Sequence, residues 1–314
     1  MPIATDFEFR HRHGPPPMPS ALLGPLARFL GHHTSMKTWR GHGFNLIWRP
    51  NFNGQSGPED EFLELNATTE ELSFLNITGS GVANRAAQQT DIFLGALSYL
   101  QTVSDINTGP IHFEPGVWAN IPTTTDPALP ATVTRMGSIP HGTTINAQGT
   151  ALNVPGGPSI QPASIVPFTI GAPDDGSALQ PQVQDQTPIA QDIPSRTPLA
   201  QVPGLDQAHF DNPNQFLLDA IAGQTITNTE VFLISTEPPI GLPGGIPSVG
   251  GGTANIEFLV LPPNANAVRM TAIFWVETVA NHDGSTFEQL QYTQRVLLNF
   301  NGLSWPHISV ATLR

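Results

Sequence analysis

Apolar residues recur along much of this chain at the two-residue spacing of half-buried strands, interrupted by glycine, proline and asparagine at turn-like intervals. The alternation predicts strands over Met36–Trp48, Glu61–Asn66, Leu72–Ser80, Ile92–Asp105, His112–Asn120, Ala131–Ser138 and Thr143–Leu152. It returns at Val231–Ser235, Asn255–Leu261, Val268–Val279, Thr286–Phe300 and Trp305–Leu313. Turns are expected at Thr68-Thr-Glu, Gly79-Ser-Gly81, Asn107-Thr-Gly-Pro110 and His282-Asp-Gly-Ser285. Two segments have the helical spacing instead. Leu22, Leu26, Phe29 and Leu30 share one face before Gly31, a stripe suited to plugging an open barrel end. Asn212 and Pro213 open the second, with Phe216, Leu217, Ala220 and Ile221 forming its stripe before Gly223.

Short strands at regular spacing predict an all-β fold, an up-and-down antiparallel β-barrel with an N-terminal helix. Residues 1–19 read as an irregular arm and 20–314 as a single barrel domain. Between about 154 and 253 the prolines thicken and the apolar clusters thin, so this stretch is expected to be a long insertion holding the second helix. Within it Ser159–Gly171 retains enough Ile and Phe for a further strand.

Composition narrows the function classes. There is no cysteine, which excludes disulfides, thiolate metal sites and cysteine nucleophiles. A formal net charge of −13, from 25 acidic and 12 basic residues, repels phosphate backbones, and no basic patch offsets it, so nucleic acid is not an expected partner. No apolar run reaches the length of a transmembrane helix and the N-terminus lacks a signal-peptide core, so a cytoplasmic protein without a membrane span is expected. Nucleophile-elbow, phosphate-loop, dinucleotide and His-Glu-x-x-His motifs are absent.

The chemistry-bearing candidates gather on one strand. In His112-Phe-Glu114 the two-residue period puts the imidazole and carboxylate on one face, opposite Phe113. Facing inward, the pair would form a site wall; facing outward, it would be solvated surface. Arg135 is the basic residue of a nearby strand, and the three together are the candidate catalytic set for acid–base chemistry. Trp39, Phe113, Trp118 and Trp275, with His141 in a Pro-His-Gly turn, are candidate ligand-binding residues, with core packing as the plainer role for the aromatics.

Trp39-Arg-Gly-His-Gly43, preceded by the apolar helix, resembles the opening segment of nitrobindin-like haem-binding barrels, relatives of the lipocalin and fatty-acid-binding proteins. His112-Phe-Glu-Pro-Gly-Val-Trp118 is similar to a strand of that family, and Trp305-Pro-His-Ile308 to the segment carrying its proximal haem ligand. The resemblance implies a lipocalin-like barrel with an apolar interior, haem as a candidate cofactor, and His307 as its iron ligand, with peroxide or nitric oxide chemistry to follow. It does not extend over 154–253. The function expected is binding of a small apolar molecule inside the barrel. The alternatives are a cofactor-independent isomerase or cyclase acting on a lipophilic substrate, and a self-assembling structural protein.

Overall fold

The structure is a computed structural model that describes residues 20–55, 57, 59–78, 82–84, 87–174, 186–237 and 251–314. The expected arm at 1–19 and the turn at 79–81 lie outside the described residues.

Most of the chain is antiparallel β-sheet. The long strands are β1 (Met36–Pro50), β2 (Glu61–Asn76), β4 (Ile92–Asp105), β5 (Gly109–Ile121), β8 (Thr132–Ile139), β9 (Thr143–Pro155), β11 (Thr225–Ser235), β13 (Asn266–Ala280), β14 (Thr286–Phe300) and β15 (Leu303–Leu313). They bond to one another in chain order, and β15 returns to β1 through pairs running from Gly41 and Leu313 to Ile47 and His307. The bonding is therefore ring-like, and a sheet closed in this way has no long free edge to template aggregation. It is not a clean barrel. β3 (Val82–Asn84), β10 (Phe168–Thr169) and β12 (Gly252–Asn255) attach to β4, β15 and β9 as extra ladders, and β6 (Thr124–Thr125) pairs with β7 (Ala128–Leu129) apart from the ring.

Two apolar cores follow from the pleat. Inside the ring, Phe29 stacks on Phe74 and Phe232 at centroid distances of 4.5 and 4.4 Å, with Trp118 and Phe274 packed around it. Phe29 comes from a 3₁₀ helix, Gly24–Leu30, which follows a shorter one at Ser20–Leu22 and enters one end of the ring. That end is filled. The second core lies outside the ring, where Phe44, Leu46, Trp48, Leu65, Ile308 and Val310 meet Ile160, Ile165, Val202, Phe210 and Leu217 of the proline-rich chain. Both faces of β13 are therefore covered: Phe274 points inward and Trp275 outward, which explains the unbroken apolar run there.

Several expectations change. The stretch 154–253 is not one insertion, because β11 lies inside it and pairs with both β9 and β13 as a member of the ring. Thr68-Thr-Glu70 is no turn: β2 runs straight through it, since Thr68 and Glu70 face the interior and hydrogen-bond there. The strand expected over Ser159–Gly171 shrinks to Phe168–Thr169, with Ile160 and Ile165 packing as loop residues on the outer wall. Asn255–Leu261 divides into β12 and the short helix Glu257–Val260. The second predicted helix spans Gln215–Ile221 and follows a shorter one, Gln207–Asp211, so Asn212 ends one helix while Asn214 precedes the next. No helix among the described residues is long and apolar enough to cross a membrane.

Candidate functional site

The half of the ring opposite the Phe29 plug holds a cavity of about 350 Å³. Its walls are apolar at Ile47, Val103, Ile139, Ile145 and Val296, and its polar lining includes Asn45, Glu70, Gln101, His112, Gln294 and His307. A pocket of this kind, apolar with a few convergent polar groups, is the usual form of a small-molecule site.

The cavity rests on a belt of buried polar side chains at mid-depth. β5 carries its centre. Glu114 is fully buried and points inward two residues from His112, while Phe113 between them is half exposed on the outer wall. A β-bulge at Ile111, opposite Val103 and Ser104 of β4, turns both Ile111 and His112 toward the cavity. Tyr99 of β4 donates a short hydrogen bond to Glu114 Oε1, which also accepts from Arg135 Nη2 at 2.8 Å. Arg135 Nε donates to Tyr99 Oη at 3.1 Å and Nη1 to Gln294 Oε1 at 2.7 Å. From there the belt crosses the ring: Gln101 Nε2 donates to Tyr292 Oη at 2.9 Å, Tyr292 donates to Glu70, and Thr68 donates to Glu70 Oε1 at 2.9 Å.

Two glycines make room for this. Gly116 of β5 and Gly137 of β8 are direct partners across the ladder. A Cβ on Gly116 would collide with the Met136 carbonyl oxygen and the Tyr99 ring, and one on Gly137 with Tyr99 Oη and Glu114 Oε1. The Tyr99–Glu114 pair therefore needs a side-chain-free patch on the two neighbouring strands.

Charge states follow from these contacts. Burial alone would raise the Glu114 carboxyl, but Arg135, His112 and the Tyr99 hydroxyl outweigh it and hold it at about 2, so it is a carboxylate. Glu70 moves the other way, since burial raises it more than its hydrogen bonds from Tyr292, Thr68 and Gln101 lower it. The belt thus pairs an ionised carboxylate with one biased toward its neutral form. Among the described residues Glu114 Oε2 has no hydrogen-bond partner, and His112 Nε2 stands 3.6 Å from it, on the cavity side.

Of the residues singled out by sequence, His112, Glu114 and Arg135 come together in this belt. His141 sits at the cavity rim with its ring 5.6 Å from that of His112, and its pKa is lowered by burial and by His112. His307 enters the cavity from β15, and its Nε2 approaches Asn45 Oδ1 at 2.6 Å. With the Asn45 amide nitrogen donating to Asn66 Oδ1, the atom facing His307 is the Asn45 oxygen, which can only accept, so His307 Nε2 is the donor and its Nδ1 carries the lone pair. Burial first, then His112 and His141, lowers His307 to about 3, and it is neutral at physiological pH.

The aromatics do not line the cavity. Trp39 and Trp118 face inward but belong to the filled end, where Trp39 Nε1 donates to the Phe29 carbonyl at 2.8 Å. Trp275 and Phe113 face outward. In their place the cavity uses Tyr292, Gln101, Gln294 and Glu70, which the sequence reading passed over. The signal available for them was polar residues at inward strand positions, in phase with buried Leu72, Leu97 and Leu290.

No cluster of three or more His, Asp or Glu side chains suited to a metal ion occurs among the described residues. A larger and less enclosed groove, about 570 Å³, lies on the outer wall between Phe44, Val202 and Phe216. We favour the smaller one as the site because it, unlike the groove, adjoins the charged belt. Comparison of the chain with protein-family models, with curated proteins and with solved structures finds no match.

Proposed function

We propose that this protein binds a small, mainly apolar molecule inside a lipocalin-like ring, with the ligand's apolar body against the aliphatic walls and one polar group on the belt. The observation that carries this reading is the division of the interior: one end packed solid around Phe29, the other left as a cavity of about 350 Å³ floored by fixed polar groups. Evacuating half of a core forfeits close packing, which is worth about 24 cal/mol per Å³ of cavity in a folded protein, so a ligand that fills the space regains contact energy. The test is a titration with the neutral dye N-phenyl-1-naphthylamine. Enhanced fluorescence saturating at one dye per chain, and lost in Ala267→Trp, which places an indole in the cavity wall, supports the reading. Binding unaffected by that variant removes it.

Haem is the less favoured occupant. His307 offers Nδ1 as a ligand, but its Nε2 is committed to Asn45, and the described residues lining the cavity include Glu64 and Glu70 without any Lys or Arg to meet two propionates. The residues therefore fit haem poorly. A Soret band on adding haemin, abolished by His307→Ala, would overturn that judgement. Self-assembly through the proline-rich stretch has less support still, since Ile160, Ile165, Val202 and Phe210 are already buried against the ring.

A further inference from the structure

The unpartnered oxygen of Glu114 asks for an explanation. A buried carboxylate oxygen without a hydrogen bond is costly, and Glu114 could have been satisfied by one more donor. Instead its Oε2 is directed at His112 from 3.6 Å, slightly beyond hydrogen-bond length, while Tyr99 and Arg135 fix the opposite oxygen. Such a carboxylate is poised for a positive charge that is not permanently there. An imidazole supplies that charge when it takes up a proton, and catalytic hydrogen bonds are often long before substrate arrives.

Resting on the reading of the cavity as a small-molecule site, we propose that His112 is a general base that removes a proton from carbon next to a carbonyl in a lipophilic ketone bound there, with Glu114 as its positioning residue. The neutral His112 imidazole takes the proton: the C–H bond breaks, an N–H bond forms, the C–H pair becomes a carbon–carbon π bond, and the carbonyl π pair moves onto oxygen to give an enolate. Returning the proton to the same carbon regenerates the ketone. Returning it to the far end of a conjugated enolate gives an isomer. Neither outcome changes oxidation state or needs a co-reactant.

The belt supplies what the enolate oxygen requires. Gln294 lines the cavity, and because its carbonyl oxygen accepts from Arg135 Nη1 its amide nitrogen is left as a donor with no partner among the described residues. Preorganised donors of this kind stabilise a developing oxyanion without reorganising during the step. Arg135 thus orients two groups at once, the carboxylate behind the base and the amide expected to face the oxyanion. The apolar walls define the substrate class: a neutral ketone with a compact hydrocarbon body. Besides Glu114, the titratable groups that act on His112 or lie close to it are His141, Glu70 and His307.

The experiment is exchange of α-hydrogens of 2-decalone for deuterium in D₂O, followed by mass spectrometry across pH 5–9, with binding of the same ketone measured by saturation-transfer NMR. Wild-type protein is expected to accelerate exchange over buffer, and His112→Gln to lose that acceleration by about 100-fold or more while still binding the ketone. In Glu114→Gln the charge behind the imidazole is gone, so the exchange rate of bound ketone falls while its binding is kept. Since that change also leaves Arg135 without its counter-ion, Glu114→Asp serves as the second variant; it keeps the charge but withdraws it, and is expected to lower exchange less than Glu114→Gln does. Ketone that binds without accelerated exchange, or exchange that survives His112→Gln, overturns the proposal and leaves the binding reading standing. Absence of ketone binding overturns the proposal, and absence of dye binding as well overturns both.

Discussion

Replacing Arg135 by Met tests the belt where its energy is concentrated. The side chain is of similar length and apolar, so the packing changes little, but Glu114 is left fully buried without its cation. In the native protein the carboxyl sits at about 2 against an ordinary 4.5. At ~1.4 kcal/mol per pH unit that difference is worth about 3 kcal/mol, and breaking a buried pair by removing one partner costs about 3–5 kcal/mol. The pH dependence carries the sharper signature. A carboxyl held low in the folded state contributes stability that is present above pH 4.5 and lost as pH falls through about 2. Without Arg135 burial prevails, the carboxyl rises above 4.5, and the sign reverses: folding of the variant is favoured below pH 4.5 and weakened as pH rises through the new value. Urea unfolding followed by circular dichroism should therefore show a loss of about 3–5 kcal/mol at pH 7 that narrows toward pH 4. Arg135→Met combined with Glu114→Gln should recover a large part of the loss. A single variant within about 1 kcal/mol of wild type at pH 7, with no pH dependence of the gap, would mean that Arg135 does not hold the Glu114 charge in the interior.

The filled end and the outer wall make separate predictions. Phe29→Ala removes the ring stacked between Phe74 and Phe232 and should lower stability by about 3–5 kcal/mol in the same unfolding assay. His307 should show no titration between pH 5 and 8 in histidine NMR spectra, because its folded value lies near 3; the stability tied to its neutral form is present above the ordinary 6.5 and lost as pH falls toward 3. Phe216→Ala, in the wall of the outer groove, should leave dye binding unchanged, and a loss of binding would mean that the outer groove is the site.

How much of this was legible in the sequence varies with how local each signal is. Strands such as Ile92–Asp105 and Thr286–Phe300 were readable because two-residue alternation and flanking turns are properties of the segment itself. The phase of β5 was readable too, since period two puts His112 and Glu114 together and Phe113 opposite them. Which phase faced the interior was not, because strands β4 and β5 bear apolar residues such as Leu100 and Phe113 on the outside. The turn expected at Thr68–Glu70 failed for the same reason: polar residues inside a ring imitate a break. Trp275 misled because the outer wall of β13 is a second core, made by chain far away in sequence, from Ile160 to Leu217. The Gly116–Gly137 pairing became meaningful only once the register across β5 and β8 was known.

Whether the interior cavity holds the ligand is decided by intermolecular nuclear Overhauser contacts between bound N-phenyl-1-naphthylamine and isotope-labelled methyl groups. Contacts to Ile139, Ile145 and Val296, which line the cavity, are expected. Contacts confined to Val202, Leu205 and Val310 would place the dye in the outer groove and contradict binding in the interior.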